Sequence, residues 1–242
     1  MKNFIKRFLL KRVYQKVYSF YGAITNINPK ALELNKSDRV LILAPHADDE
    51  VIGCGALLLR YPNLCDVTVL TDGRYGDSNI EPSKMANIRR DEFKNVMDKI
   101  GIKNYSILDI EDSMLNDSYD KFSKIDFNSY NYIFIPNNLD QHPDHKAVFS
   151  HILRAYRDGK IDKNINLAMY EVWGALALTN FYIDFSNMVK DKREVINMHK
   201  SQVKDYDYAT KILGLNSYRG LTASNKDYVE SYFILPIKDY KF

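Results

Sequence analysis

The stretch that decides the fold is RVLILA at residues 39–44, followed directly by PHADDE at residues 45–50. After Arg39, residues 40–44 form a short, continuous apolar run that is mostly branched, which is typical of a strand buried on both faces of a parallel sheet. The next six place one imidazole and three carboxylates at the end of that strand. Because ligands of open α/β sheets bind at the carboxyl ends of strands, this stretch predicts the position of a site as well as a fold.

Apolar runs and helix-like segments alternate along the rest of the chain. Further strands are predicted at residues 66–71, 105–110, 132–136, 166–173 and 228–235, and helices at 50–60, 82–100, 143–156 and 187–204. This alternation indicates parallel βαβ units, and it predicts an α/β fold with a Rossmann-like open, mostly parallel sheet flanked by helices. We expect one domain over residues 31–242, preceded by a basic, helical leader at residues 1–30.

Composition excludes several classes of protein. The chain has 242 residues, 45% of them apolar and 27% charged, and these values are ordinary for a folded domain. No run approaches the roughly 20 apolar residues of a membrane span. The two cysteines, Cys54 and Cys65, form no CxxC pair, which favours a reducing compartment over a disulfide framework. Collagen-like, coiled-coil, integral-membrane and disulfide-rich interpretations are therefore excluded.

Charge is distributed unevenly between the leader and the body. The net charge of +3 combines seven bases and no acid in residues 1–30 with a remainder of 27 bases minus 31 acids, or −4. An acidic body argues against nucleic-acid binding. For the leader, two interpretations stay open: a helix that contacts anionic lipid through residues 1–21, or a helix packed on the body with its lysines in water. We expect a cytoplasmic protein, peripheral at the inner face of the membrane in the first case.

A second polar cluster, NNLDQHPDH at residues 137–145, follows the predicted strand at 132–136. Three of the five histidines of the chain lie in the two clusters, each at the end of a predicted strand. Imidazoles with one or two carboxylates are the usual ligands of a catalytic divalent metal. A simpler interpretation of each motif alone is that Asp48, Asp49 or Asp144 serves the start of a helix. The two motifs together favour the metal site.

At these motifs the chain resembles the PIG-L/LmbE-like family of zinc-dependent deacetylases, which act mostly on N-acetylglucosamine derivatives. HADDE at residues 46–50 is similar to the family's His-Pro-Asp-Asp-Glu element, with Ala47 in place of the commoner proline, and HPDH at 142–145 matches its later element. The resemblance covers about residues 38–235, and its further matching segments are TDGRYG at 71–76, RRDE at 89–92, YEVW at 170–173, Lys192 and SQ at 201–202.

The resemblance implies a role for each of six site residues. The metal ligands would be His46, Asp49 and His145. Asp48 would be the general base, and His142, oriented by Asp144, would stabilise the oxyanion and protonate the leaving amine. We expect Asp144 to raise the pKa of the His142 imidazole, as an acidic neighbour does. The expected cofactor is Zn²⁺, with Fe²⁺ or another divalent ion as alternatives.

Substrate contacts are predicted less directly. Arg89, by its place in the family pattern, would reach sugar hydroxyls or a phosphate. Arg74, in the segment similar to the family's glycine loop, is a candidate substrate contact, although members often carry glutamate there. Tyr75, Tyr170 and Trp173 would stack on a sugar ring, with packing in the core as the alternative. Glu50 has two interpretations: it holds the His46 ring, or it favours the first turn of a helix.

The predicted activity is removal of an N-acetyl group from an N-acetylglucosamine-type or related acetamido sugar, free or linked to a nucleotide or a lipid. Two alternatives keep the fold: an amidase that acts on a larger sugar-amide conjugate, and a glycan-binding module with a vestigial metal site. Two imidazoles and one carboxylate also describe non-haem iron oxygenases, but the βα alternation argues against their barrel fold. The sequence carries no signal for an oligomeric state.

Overall fold

The computed structural model describes residues 29–223 and 226–240. Residues 1–28, which make up most of the predicted leader, lie outside the described residues, and so does its predicted membrane contact. The described strands are β1 Lys30–Ala31, β2 Val40–Ala44, β3 Cys65–Thr71, β4 Tyr105–Ile110, β5 Tyr132–Pro136, β6 Asn166–Tyr170, β7 Phe181–Asp184 and β8 Val229–Pro236. The α-helices are α1 Asp49–Arg60, α2 Pro82–Ile100, α3 Tyr119–Phe122, α4 Pro143–Arg157, α5 Val189–Asn197, α6 Lys200–Val203 and α7 Tyr208–Ala223.

The described strands form one sheet in the order β1-β7-β8-β6-β5-β2-β3-β4. All neighbouring strands pair in parallel except β8, which is antiparallel to both β6 and β7. The chain adds β3 and β4 on one side of β2 and then returns to place β5 on the other side. Strand order therefore reverses between β2 and β5, the position at which open α/β sheets bind ligands. The predicted α/β fold with a mostly parallel open sheet is confirmed.

Hydrophobic packing covers both faces of the sheet. Along β2, Val40, Ile42 and Ala44 belong to the core on one face, while Leu41 and Leu43 belong to the core on the other. All five residues are buried, which explains why this strand is a continuous apolar run with no polar alternation. None of the helices in residues 29–223 and 226–240 combines the length and the apolar character that crossing a membrane requires.

Several elements differ from the sequence-based expectation. The predicted strand at 166–173 ends at Tyr170, and the predicted helix at 187–204 is two helices, α5 and α6, separated at His199. The strands β1 and β7 were not predicted, because two and four residues are too few to show a pattern. The helix α7 was also missed, since its apolar residues do not gather on one stripe.

The helix α1 is broken at Cys54, whose φ of −130° and ψ of 17° are not helical. The break separates the carbonyl of Ile52 from the N–H of Ala56, which would bond to each other in a regular helix. Lys192 Nζ instead donates to the Ile52 carbonyl at 3.1 Å, and a Glu230 carboxylate oxygen accepts from the Ala56 N–H at 2.7 Å. A buried ion pair thus bonds to the two backbone groups that would form one hydrogen bond of a regular helix.

Candidate active site

The loop after β2 carries the first half of the site. Asp48 has a φ of 140°, in the region that favours glycine, and its N–H donates to Glu50 Oε2 at 2.9 Å. The other carboxylate oxygen of Glu50 lies 3.3 Å from Nε2 of the fully buried His199. Glu50 therefore holds the backbone of Asp48 in a strained conformation. Two roles were predicted for Glu50. Its carboxylate contacts the Asp48 N–H and His199 where a contact with the His46 ring was expected, and Glu50 does lie in the first turn of α1.

The loop after β5 and the start of α4 carry the second half. His142 is the N-cap residue of α4, and Pro143 occupies the first helical position, where a missing N–H costs nothing. The His142 ring centroid lies 4.7 Å from that of His46 and 4.9 Å from that of His145, and the His46 and His145 centroids are 5.6 Å apart. Two loops that are distant in the chain thus bring three imidazoles together.

Asp49 lies between two of these imidazoles. Its Oδ2 atom is 3.4 Å from His46 Nδ1 and 3.2 Å from His145 Nε2. Burial alone would raise the pKa of the Asp49 carboxyl, but the adjacent imidazoles outweigh burial and lower it. Burial alone would lower the pKa of His145, but the carboxylates of Asp49 and Asp140 outweigh burial and raise this pKa to about 9. The negative charge of Asp49 is therefore balanced by protons on the adjacent histidines.

A divalent cation fits this donor set. Both ring nitrogens of the buried His145 lie close to carboxylate oxygens, yet neither contact has the geometry of a hydrogen bond. Such unsatisfied nitrogens are costly in a buried site unless another partner is bound. Two sets of side chains have ligand atoms within 4.8 Å of one another: His46 with His142 and His145, and His46 with Asp112 and Asp144. The site is consistent with a divalent metal, without specifying which one.

Two buried carboxylates of this cluster were not assigned a role from the sequence. Asp112 Oδ1 lies 3.3 Å from His46 Nε2, and Asp140 Oδ2 lies 3.1 Å from His145 Nδ1. Asp112 comes just after β4, so the rule that placed the other clusters at strand ends applies to it too. Asp140 lies inside the second motif itself, but local sequence does not reveal that it faces His145.

The Asp144 carboxylate lies against His46, with Oδ2 at 3.1 Å from His46 Nε2, and it also accepts the N–H of Ser113. Its link to the His142 ring comes from its backbone, whose N–H donates to His142 Nδ1 at 3.3 Å. Burial and the charges of His46 and His145 lower the pKa of His142, although Asp144 acts in the opposite direction. Asp144 therefore acts in the predicted direction, but the pKa of His142 is lowered on balance because burial and the other imidazoles outweigh Asp144.

Arg89 reaches the site from α2 and pairs with Asp48. Its Nη2 atom donates to Asp48 Oδ1 at 3.0 Å and to the Ala47 carbonyl at 2.8 Å, and its Nη1 atom donates to Gln202 at 3.2 Å. Burial raises the pKa of Asp48 to about 6, against the opposing effect of Arg89. Arg89 is itself buried, so in this structure it serves Asp48 directly as well as lining the cavity.

A cavity of about 220 Å³ opens over the cluster. Tyr75 and Trp173, predicted as substrate contacts, both line it and are 54% and 48% exposed, so they are not core residues. The prediction that Tyr170 stacks on a sugar is wrong, because Tyr170 is fully buried in the core and its hydroxyl donates to the Leu43 carbonyl. Arg74 does not line this cavity and instead pairs with Asp72 at 2.6 Å and with Glu111 at 3.2 Å. The lining residues are His46, Asp48, Asp49, Tyr75, Gly76, Arg89, Asp112, His142, Trp173, Gln202 and Tyr208.

The protein is an α/β protein with an open, mostly parallel sheet. At the switch point of that sheet, the carboxyl ends of the strands carry a cluster of imidazoles and carboxylates that can bind a ligand. Residues 41–156, which include both motifs, match the family described as PIG-L: GlcNAc-PI de-N-acetylase. This match covers just under half of the chain. The resemblance stated from the sequence is therefore confirmed.

Solved structures share the fold. N,N′-diacetylchitobiose deacetylase from Pyrococcus horikoshii is 21% identical, with a TM-score of 0.70 over 82% of this chain and 84% of that one. A deacetylase of the teicoplanin biosynthetic pathway, solved as a triple mutant, is 16% identical, with a TM-score of 0.64 over 84% of this chain and 100% of that one.

GalB, the 4-carboxy-2-hydroxymuconate hydratase from Pseudomonas putida KT2440, is also 16% identical, with a TM-score of 0.63 over 85% of this chain and 99% of that one. The search of curated proteins gave no match. At these identities the structures show a common fold, and GalB shows that the fold is not limited to deacetylation.

Proposed function

We propose that this protein is a metal-dependent hydrolase that removes the N-acetyl group of an acetamido sugar. One observation carries the proposal. Asp49 lies within 3.4 Å of His46 and His145, while the neighbouring Asp48 is a buried carboxyl that faces the same cavity. The two carboxylates thus differ in environment, and such a difference is how one site separates a ligand from an acid–base group.

His46, Asp49 and His145 would hold the cation, and Zn²⁺ suits two imidazoles and one carboxylate. When bound there, the ion supplies a Lewis acid that polarises the amide carbonyl and acidifies water. Fe²⁺ or another divalent ion fits the same donors, since affinity alone does not fix metal identity. All three side chains are buried, and Asp49 Oδ2 lies within 3.4 Å of a ring nitrogen of each histidine, which supports this set of ligands.

Asp48 would take the proton from the attacking water. With a pKa raised to about 6 by burial, it is still mostly ionised at neutral pH and is a stronger base than an ordinary carboxylate. Arg89 holds one oxygen of Asp48 at 3.0 Å, which orients the other toward the cavity. The strained backbone of Asp48, held by Glu50, fixes the same direction.

His142 would act on the other side of the scissile bond. It lines the cavity beside His46, and its position as the N-cap residue of a helix fixes its backbone. In its protonated form it can donate a hydrogen bond to the carbonyl oxygen as negative charge develops there. It can then transfer its proton to the amine nitrogen as the carbon–nitrogen bond breaks, so that acetate and the free amino sugar leave. Removal of one such donor typically costs about 10²–10³-fold in rate.

Exposed aromatic side chains favour a sugar as the substrate. Tyr75 and Trp173 stand at the rim of the cavity, where flat apolar surface and nearby polar groups are typical of sites that bind small ligands. Tyr208 extends this rim, with its ring 5.3 Å from that of Trp173. A pyranose ring has apolar faces that can pack on such side chains while its acetamido group reaches the cluster below.

The test is a screen for acetate release from N-acetylated sugars that are free, nucleotide-linked or lipid-linked. The protein is treated with a chelator and then assayed alone, with Zn²⁺ and with Fe²⁺. We expect acetate release to depend on added metal and Asp48→Asn to lose nearly all activity. The control variant is Asp120→Asn, at an exposed position 72 residues after Asp48 in the sequence, and it should keep full activity. Parallel substrates with larger acyl groups distinguish the amidase alternative. If metal-loaded protein releases neither acetate nor a larger acid, the proposal is wrong and a glycan-binding module is favoured.

A further inference from the structure

Asp140 joins the histidine cluster to one wall of the cavity. It is fully buried in the loop between β5 and α4. Its Oδ2 atom lies 3.1 Å from His145 Nδ1, and the same oxygen accepts the backbone N–H groups of Trp173 at 3.0 Å and Gly174 at 3.2 Å. Its Oδ1 atom accepts the N–H of His142 at 3.0 Å. A single carboxylate therefore contacts both histidines of the second motif and the segment that carries Trp173.

The segment after β6 is held closely against this carboxylate. Asn137 donates a side-chain hydrogen bond to the carbonyl of Gly174. A Cβ added at Gly174 would lie 3.0 Å from the Cα of Asp140, so glycine is needed for this approach. Trp173, next in the chain, is 48% exposed and lines the cavity. The position of the Trp173 wall thus depends on the position of Asp140.

The two nitrogens of His145 face different partners. Nε2 faces Asp49, and Nδ1 faces Asp140. If His145 binds a cation through Nε2, its proton must be on Nδ1, which lies 3.1 Å from Asp140 Oδ2. This contact lacks hydrogen-bond geometry in the structure, so cation binding would have to tighten it into a hydrogen bond. Carboxylates in this position fix the tautomer and ring orientation of ligating histidines. Binding at Nε2 also makes the Nδ1–H group a stronger donor to the oxygen that holds the Trp173 segment.

We propose that Asp140 is a positioning residue that couples cation binding at His145 to the placement of the Trp173 wall of the cavity. This inference rests on the proposed function only in taking His145 as a ligand. It goes further in assigning a link between the cluster and the substrate-facing rim. The consequence is that occupancy of the cluster and the shape of the rim are set together.

Trp173 provides a direct readout, because it is the only tryptophan of the chain. Zn²⁺ has no redox activity and a filled d shell, so a change in emission on its addition reports the protein. Chelator-treated full-length protein is titrated with Zn²⁺ while Trp173 emission is recorded, and a competing chelating dye measures zinc affinity independently. For the wild type we expect emission to change with the same midpoint as zinc binding.

Three variants separate the coupling from simple loosening of the loop. Asp140→Asn has one acceptor oxygen where aspartate has two, so zinc affinity should fall about 10–100-fold and the emission response should shift with it. Asn137→Ala removes the other tether of Gly174 without touching His145, so zinc affinity should stay at the wild-type value. Gly174→Ala forces the segment away from Asp140 but keeps the carboxylate beside His145, so zinc affinity should fall less than in Asp140→Asn and the emission response should be small. Thermal unfolding confirms that each variant is folded.

The outcomes distinguish the inference from the function on which it rests. If the wild type binds zinc with no change in Trp173 emission, or if Asp140→Asn and Asn137→Ala bind zinc equally, the coupling is refuted while the hydrolase proposal stands. The same holds if Gly174→Ala keeps the full emission response. If the dye detects no zinc binding by the wild type, the metal site itself is refuted.

Discussion

Replacement of Lys192 by methionine tests how the break in α1 is stabilised. Lys192 is fully buried, and its Nζ donates to the Ile52 carbonyl, to Asn216 Oδ1 at 3.0 Å and to Glu230 Oε1 at 2.5 Å. Methionine fills most of the volume but removes all three bonds and leaves the Glu230 charge without its cation. Breaking a buried pair by removal of one partner costs about 3–5 kcal/mol.

The structure places the effect at the lower end of that range. The Glu230 carboxylate keeps three donors after the change, namely the N–H groups of Ala56 and Leu57 and the hydroxyl of Tyr232 at 2.6 Å. We therefore expect Lys192→Met to lower the free energy of unfolding by about 3 kcal/mol. For a domain of this size, that loss corresponds to a fall in Tm of about 6–12 °C.

Urea denaturation followed by far-UV circular dichroism measures this loss. The matched control is Lys190→Met, an exposed lysine on the same helix, which should change stability by no more than about 0.5 kcal/mol. Adding Glu230→Gln to Lys192→Met should recover part of the loss, because the charge left alone is then removed. A loss below about 1 kcal/mol in Lys192→Met, or a double variant no more stable than the single one, would refute the reasoning.

Three further predictions concern the loop after β2 and the helix that follows it. Asp48→Ala should retain zinc and lose about 10²–10⁴-fold in rate, whereas Asp49→Ala and His145→Ala should lose the metal. Elemental analysis measures the metal content of each variant. If Asp48→Ala contains no metal, the assignment of Asp48 as base and Asp49 as ligand is wrong. Burial raises the pKa of Asp48 from 3.8 to about 6. In chelator-treated protein we therefore expect folded Asp48 to hold a proton that the unfolded chain releases, so that the contribution of this carboxyl to stability falls as pH rises through this range. Asp48→Asn should remove that fall, and urea denaturation profiles that match the wild type at every pH would contradict it. Gly53→Ala places a Cβ into the ring of Tyr170 and should cost about 1–3 kcal/mol, measured by thermal unfolding against Gly214→Ala, where a Cβ meets open space.

The positions of the two motifs could be predicted because both are local. The strand β2 is a continuous apolar run, and the polar residues that follow it must lie at its carboxyl end whatever the rest of the chain does. The same holds for β5 and the loop before α4. From these two segments the sequence indicates a parallel sheet, a switch point and the histidines that meet there. The family resemblance adds the expected roles, which geometry alone does not assign.

The partners of those residues were decided only by the tertiary structure. His46 and Asp144 are 98 residues apart, and Ile52 and Lys192 are 140 apart, yet each pair is in contact. Periodicity indicates that a residue is buried, but it does not identify the group that satisfies its charge. That is why Asp112, Asp140 and the ion pair at the break in α1 emerged only from the folded chain: a buried charge takes its partner from whichever strand or helix the topology brings beside it.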